Sequence, residues 1–522
     1  MRRPEPGRWL PFLAWLPRVD RRTLNRDLWV GLSGAVLALP QSMAYALIAG
    51  LPAEYGLYAA MLPVVIASLW GSSWYMVGGP TAAISVVLYA AVAPLATPGS
   101  AAFIEYALLL TFLAGLFQYL LGVLRFGVLV NFVSHSVVLG FTGGAALVIA
   151  IGQLPYWLGI HLNGQGTALG NALALVRLLP AYHAPSLLLG AFCLLLSLGL
   201  RRVWPRGPAL LLGLIGSSAL AWVWPALFGQ VERVQALRSA LPPFSPLHFE
   251  LAAISQLLPA AVACGMLGLV TSLSIARALA SRTHQPLDAN QEVRAQGLSN
   301  LIGPWFSGSL SAGSFTRSGL NLDAGARSPL AGVFSALWVA LLALAGAGLI
   351  QHIPLPAMAA GILLICWNLV DRRALRALWR GSRAEFLVML LTLAATLLLP
   401  LQNAIYAGVL ASLFFYLKRT SQPRVEQWWE GPAQVLRVEG SIFFGACDYL
   451  QRRMQQCAGE RLVLDAQHVN FIDFAGAQML LLEARRLAGE GRELALRNLR
   501  PRVQAQLARL TGNDASLRIE AP

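Results

Sequence analysis

Two stretches decide the fold, Gly78-Gly79-Pro80-Thr81 and Ser311-Ala312-Gly313-Ser314-Phe315-Thr316-Arg317. Each is polar, suited to starting a helix, and set into a chain that is otherwise a succession of hydrophobic segments. Backbone that leaves the helix at membrane depth is tolerated only where protein or a water-filled cavity surrounds it. The two stretches stand at comparable places in the two halves of the chain, which predicts a pair of broken helices whose starts face one ligand. A helix start carries unpaired amide N–H groups and roughly half a positive charge. Two such ends and one guanidinium, that of Arg317, replace the water a small anion loses, so the pattern is a transport site in outline.

Composition agrees with a membrane setting. Of 522 residues, 57% are hydrophobic and 12% charged, with a mean hydropathy of +0.60, and so little charge does not coat a soluble globule of this size. Apolar runs that match a ~30 Å hydrocarbon core centre on 28–49, 54–72, 80–95, 103–123, 128–151, 185–200 and 207–228 in the first half. In the second half they centre on 256–280, 293–309, 314–326, 328–349, 353–370, 384–400 and 402–417. The third and tenth are short, as half-helices would be.

Charge placement tests this layout independently. With the N-terminus inside, the inner loops hold Arg125, Arg201, Arg202, Arg206, Arg282, Arg294, Arg327, Arg372, Arg373, Arg376, Arg380 and Arg383. The outer loops hold Arg177, Arg233 and Arg238, the last two in a loop that also carries Glu232 and Glu250. This asymmetry follows the positive-inside rule, and the even number of spans puts both termini in the cytoplasm. The net charge of +15 is spread over the N-terminal segment and inner loops, so it points to topology and membrane lipids as partners and not to nucleic acid. Lys418 is the only lysine, an arginine bias suggesting GC-rich coding and a bacterial inner membrane. Residues 1–27 are arginine-rich but contain Glu5, Asp20 and Asp27 and have no cleavable apolar core, which fits a cytoplasmic segment better than a transit peptide.

Other chemistries find no support. The five cysteines have no CxxC spacing and the seven histidines no ligand spacing, so neither a metal nor another cofactor is expected. Gly164-Gln165-Gly166 lacks the strand and helix that a dinucleotide fingerprint needs. No nucleophile and base constellation lies within the spans, so the chain does not read as an enzyme. From about residue 421 the composition changes to β-like runs at Gln434–Val438, Arg461–Asp465, Glu493–Leu496 and Leu517–Glu520. Helical patterns at Ala475–Leu487 and Pro501–Leu510 alternate with them, so residues 421–522 predict a soluble α/β domain.

Several longer motifs carry a resemblance. Leu39-Pro40-Gln41-Ser42-Met43-Ala44-Tyr45-Ala46, followed by Ala49-Gly50-Leu51-Pro52 and Gly56-Leu57-Tyr58, resembles the first-span signature of the SulP sulfate permease family of anion transporters. Asn290-Gln291-Glu292, Gly297-Leu298-Ser299-Asn300 and Gly313-Ser314-Phe315-Thr316-Arg317-Ser318 are similar to its second-half motifs. Leu464-Asp465-Ala466 and Phe471-Ile472-Asp473-Phe474-Ala475-Gly476 resemble a STAS domain. The resemblance implies a transport domain over 28–420, made of two inverted seven-span repeats (28–228 and 256–420) that form a core and a gate. It also implies a homodimer and an elevator-type motion.

The same resemblance implies an anion bound among Gln41 and Tyr45 of the first span, Thr81 and Ala82 of the third, and Phe315, Thr316 and Arg317 of the tenth. Local chemistry agrees, since Pro80 suits a first helical position and Ser314 an N-cap. Each residue also has a plainer reading: Gln41 as an interhelix hydrogen bonder, Tyr45 as packing, Thr81 as a cap. Arg317 is harder to explain structurally, because a mid-membrane guanidinium needs a partner. Asp323, nearly two turns further along the same helix, is the rival partner, too far for direct pairing without bending.

Two departures bear on mechanism. Many relatives carry a glutamate in the eighth span where this chain has Thr271, in Val270-Thr271-Ser272-Leu273. A hydroxyl does not exchange a proton near neutral pH, which favours anion exchange or weakly coupled uptake of sulfate, bicarbonate, chloride or a dicarboxylate. Cation-coupled symport and channel-like conduction on the same scaffold are the alternatives. After Asp473 come Phe474, Ala475 and Gly476, so the STAS domain has no hydroxyl where related bacterial regulators are phosphorylated.

Overall fold

The computed structural model describes residues 10–126, 134–160, 168–204, 208–234, 237–399, 401–511 and 517–520; Arg206, Gly164-Gln165-Gly166 and the first nine residues lie outside them. Two compact units emerge, Met1–Leu410 and Ala411–Pro522.

Helices occupy all fourteen expected places. Spans 1 to 7 are Arg21–Ile48, Ala53–Ala59 with Leu62–Trp70, Ala82–Val92, Ala101–Val123, His135–Leu158, Ala184–Val203 and Ala209–Val223. Spans 8 to 14 are Leu251–Thr283, Ala289–Ile302, Phe315–Asp323, Leu330–Ile350, Leu355–Leu369, Arg383–Leu398 and Leu401–Thr420. Eight helices among the described residues are long and apolar enough to cross a bilayer. Their starts follow local rules. The side chains of Asp20, Ser100, Ser134 and Asp288 accept hydrogen bonds from amides of the first turn, satisfying donors that the helix leaves free.

Two apolar runs are cut where the sequence suggested continuity. Span 2 breaks at Ala60–Met61, because Pro63 has no N–H to continue the ladder and its ring collides with the carbonyl four residues back. Span 9 stops at Ile302, and Gly303–Phe306 tightens into a 3₁₀ turn around Pro304.

Packing exposes the repeat. Span 1 packs on span 11 and span 8 on span 4; span 2 packs against span 11 as span 9 does against span 4. Span 3 lies on spans 8 and 1, and span 10 lies on spans 1 and 8. Each pair recurs seven spans along with its members exchanged, as two inverted repeats require. Spans 1–4 and 8–11 thus form the core. Spans 5, 6, 7, 12 and 13 pack among themselves as the gate, and Gly408 of span 14 lies against Thr392 of span 13 and Val137 of span 5. Spans 1 and 3 reach across to spans 5, 7 and 12.

The core owes its closeness to glycine. A Cβ on Gly297 of span 9 would stand 2.3 Å from the Tyr119 nitrogen of span 4, and one on Gly115 would stand 2.5 Å from the Asn300 carbonyl carbon. Backbones touch there, as at small-residue crossings in membranes.

The second unit is a six-stranded sheet of order β1-β2-β3-β5-β6, with β4 beside the far end of β2. The strands are β1 Arg424–Glu430, β2 Ala433–Ile442, β3 Arg461–Asp465, β4 Val469–Ile472, β5 Glu493–Arg497 and β6 Arg518–Ile519. Only the β1–β2 hairpin is antiparallel. Helices Phe444–Gln455, Phe474–Gly489 and Pro501–Thr511 bury Leu450, Leu480 and Leu507 against the sheet. Asp473 accepts hydrogen bonds from the Gly476 amide at 2.7 Å and the Phe444 amide at 3.0 Å. One carboxylate therefore organises the starts of two helices.

Gly297→Ala is expected to lower the detergent melting temperature by several degrees, since overpacking costs about 1–3 kcal/mol. Gly348→Ala, whose Cβ meets nothing within 4 Å, is the matched control and should melt as the parent does.

Candidate anion site

The two interrupting stretches meet. The Gly79 carbonyl accepts from the Ala312 amide at 2.9 Å and the Val77 carbonyl from the Ser314 amide at 3.1 Å, so 77–79 and 312–314 run antiparallel. Side chains of span 10 continue the seam. Ser318 Oγ accepts from the Val77 amide at 2.9 Å, and Asn321 Nδ2 donates to the Tyr75 carbonyl at 3.0 Å. Extended backbone at this depth must find every partner inside the protein.

A buried polar network supplies the rest. Asn300 of span 9 accepts from the Ser311 amide and donates to the Ser311 carbonyl, each at 2.9 Å. The same carbonyl accepts from Gln296 Nε2 at 2.7 Å. Asn300 also donates to Gln118 of span 4 at 2.9 Å, and Gln118 donates to the Gly265 carbonyl of span 8 at 3.0 Å. Ser272 Oγ accepts from the Gly313 amide at 2.8 Å. On the other stretch, Glu292 accepts from the Ser72 and Ser73 amides at 2.8 and 2.9 Å. None of these residues has a role in the reading of the sequence, although polar side chains inside apolar spans are the signal that marks them.

Arg317 sits at the centre. It is 2% exposed, and its Nη2 donates to the Pro80 carbonyl at 2.5 Å, tying the start of span 10 to that of span 3. Its Nε has no hydrogen-bond partner, and among the described residues no carboxylate forms an ion pair with it. Asp323 is no rival: it faces solvent and pairs with Arg282 at 3.7 Å. Gly79, at φ +128°, makes room, because a Cβ there would lie 2.4 Å from Arg317 Nη1. The left-handed backbone and the close approach both require glycine.

Helix starts differ in detail from expectation. Ser314 does cap span 10, its Oγ accepting from the Arg317 amide at 3.4 Å. Pro80 is not a first helical residue: span 3 begins at Ala82 with Thr81 at the N-cap. Thr81 has extended backbone at φ −132° and makes no capping hydrogen bond with its side chain, so its hydroxyl is not spent on the helix. Ala82 is buried and opens span 3.

The remaining residues divide. Gln41 and Tyr45, one turn apart on span 1, are each 7% exposed. Gln41 Oε1 is buried without a partner, which does not favour the interhelix hydrogen bond read as its plain alternative. Tyr45 is packed in the hydrophobic core around span 1. Phe315 is 60% exposed and Thr316 is exposed, both on the open side of span 10. Thr271 Oγ1 donates to its own helix at the Leu267 carbonyl, 2.8 Å away, next to the Ser272 that holds Gly313.

Asn300→Leu is expected to leave the Ser311 amide unpaired at a cost of about 1–3 kcal/mol. Thermal unfolding should shift downward and anion uptake should fall together with it, whereas Asn25→Leu, at an exposed position, should change neither by comparison.

Relatives agree with this architecture. The family model described as "Sulfate permease family" matches residues 24–392, and the STAS domain model matches 425–521. A bovine protein named "Sodium-independent sulfate anion transporter" is 30% identical over 90% of this chain and 82% of its own length. "Sulfate transporter 4.1, chloroplastic" of Arabidopsis thaliana is 27% identical over 86% of this chain and 68% of its own. Among solved structures, the murine Solute Carrier 26 family member A9 anion transporter superposes with TM-score 0.88 at 21% identity, covering 96% of this chain and 90% of that one. The transmembrane domain of the cyanobacterial bicarbonate transporter BicA superposes with TM-score 0.67 at 26% identity, covering 76% of this chain and 98% of that one. With the inverted repeat, the paired helix starts and these matches in hand, the chain belongs to the sulfate permease family of membrane transporters and carries a STAS domain.

Proposed function

We propose that this protein is a secondary active transporter of small anions that binds its substrate between the starts of spans 3 and 10. The observation that carries the reading is Arg317, 2% exposed and without a carboxylate partner among the described residues. A buried positive charge left alone costs several kcal/mol, and an anion beside the guanidinium, whose Nε has no hydrogen-bond partner, neutralises it. Thr81, Ala82, Gln41 and Tyr45 would complete the wall from spans 3 and 1, and Phe315 and Thr316 the entrance.

Exchange or weakly coupled uptake is the favoured mode. Thr271 lacks a titratable group, and its hydroxyl proton is already given to Leu267. The name of the bovine relative, a sodium-independent sulfate anion transporter, supports the same mode, and the names of the relatives make sulfate and bicarbonate the first anions to try. A core moving against the gate as an elevator accords with the sparse packing between the two groups of spans. A homodimer with both termini in the cytoplasm completes the reading.

In liposomes, radiolabelled sulfate or bicarbonate uptake should require an internal anion and be equal with and without an imposed pH gradient. Uptake that collapses when the gradient is dissipated at controlled membrane potential would mean proton symport. Arg317→Ala should weaken anion binding by about 10- to 100-fold in a protein that still purifies folded. Arg317→Lys should recover part of that loss, keeping the charge without the planar fork. Transport by the alanine variant at parental affinity would remove Arg317 from the site.

A further inference from the structure

Spans 12 and 13 are joined by a ten-residue helix, Arg372–Gly381, of sequence Arg-Arg-Ala-Leu-Arg-Ala-Leu-Trp-Arg-Gly. At 100° per residue, Arg372, Arg373, Arg376 and Arg380 fall within one arc of about 100°, while Leu375 and Leu378 lie opposite. All four arginines are exposed and both leucines are half-buried, with the helix packed on spans 13 and 5. We propose that this helix is a binding site for anionic phospholipid headgroups, built from four arginines on one face and flanked by exposed Trp367 and Trp379.

Charge complementarity comes first. None of the four arginines pairs with a carboxylate among the described residues. The nearest acid in sequence, Asp371, is committed to capping the helix, accepting from the Arg373 and Ala374 amides at 2.9 and 3.0 Å. The next, Glu385, accepts from Ser136 at 3.2 Å. Planar guanidinium forks match phosphate oxygens two at a time.

Position then selects the source of that phosphate. Span 12 ends at Leu369 and span 13 begins at Arg383, so the helix has no slack to leave the membrane surface. Trp367 and Trp379 are 65% and 67% exposed. Arg372 rests 3.9 Å over the Trp367 ring, and Trp379 stands edge-on to Phe386 at 4.8 Å. Indoles open to the surroundings at a span end are at home at headgroup level. A basic face with apolar residues and tryptophan on its flanks is the form of an interfacial helix. A soluble phosphate would explain the arginines but leave both exposed indoles without a role.

The test uses the full-length protein in nanodiscs of phosphatidylcholine mixed with phosphatidylglycerol, extracted gently and read by native mass spectrometry. The parent should retain phosphatidylglycerol over phosphatidylcholine. The variant Arg372→Gln/Arg373→Gln/Arg376→Gln/Arg380→Gln should retain at least about tenfold less, since each charge near an anionic surface is worth about fivefold, and the fourfold lysine variant should keep most of it. Equal retention by the glutamine variant, or displacement of the lipid by inorganic phosphate at matched concentration, overturns the proposal. A readout independent of variants is crosslinking of a photoactivatable phosphatidylglycerol to the parent protein. Adducts in the peptide spanning Arg372–Arg383 support the site, and adducts found only elsewhere overturn it.

Discussion

A guanidinium at membrane depth has to be neutralised, and the transport domain is arranged around one that no carboxylate among the described residues neutralises. Arg317 is held by geometry and not by an ion pair. Its Nη2 is fixed on the Pro80 carbonyl, its body rests on the bare backbone of Gly79, and its own amide is capped by Ser314. The consequence is a positive centre whose hydrogen-bonding edge is only partly used. An acid placed beside it would satisfy the charge permanently and, on the proposed function, compete with any incoming anion.

Such an arrangement moves the structural burden elsewhere. The extended stretches before spans 3 and 10 have no helical ladder of their own, and each exposes backbone groups that water does not reach. They satisfy one another across the seam between 77–79 and 312–314, and Asn300, Gln296, Gln118 and Ser272 satisfy what is left. These side chains stand on spans 4, 8 and 9, which glycines bring close together. The stiffness of the core and the position of Arg317 are therefore one property. The two extended stretches and the spans that hold them are braced as one unit, backbone to backbone across the seam.

Legibility in the sequence followed the dimensionality of the signal. The places of the fourteen spans are one-dimensional, set by runs of apolar residues about as long as a bilayer is thick, and they were readable. So were Ser314 as a cap and the meeting of the two interruptions, since a half-helix announces itself by local glycine, serine and proline. The break at Pro63 and the stop at Pro304 were hidden because apolar composition continues through both. Pro80 stands two residues before the first helical residue, Ala82, and not at the first position that its residue type suggests, because proline suits both a first turn and the extended residue before a cap, and only the partner across the seam decides. The supporting network was invisible for a different reason: Gln118 and Asn300 are 182 positions apart, and nothing local in either segment names the other.

The two charged features of the chain obey one rule read in two settings. Within the core, a single arginine without an acid partner among the described residues is surrounded by helix starts and neutral amides, so on the proposed function its field is undiluted where an anion would enter. At the surface between spans 12 and 13, several arginines without acids would repel one another unless anions are already present in high density, a condition that a layer of acidic headgroups meets. Asp371 and Glu385 make the contrast sharp. Both acids lie close in sequence to the arginines, yet each is drawn away to a capping amide or to Ser136. Among the described residues neither group of arginines is neutralised by an acid of the chain, and the two proposals rest on that same feature: in each, the counter-charge comes from outside the protein.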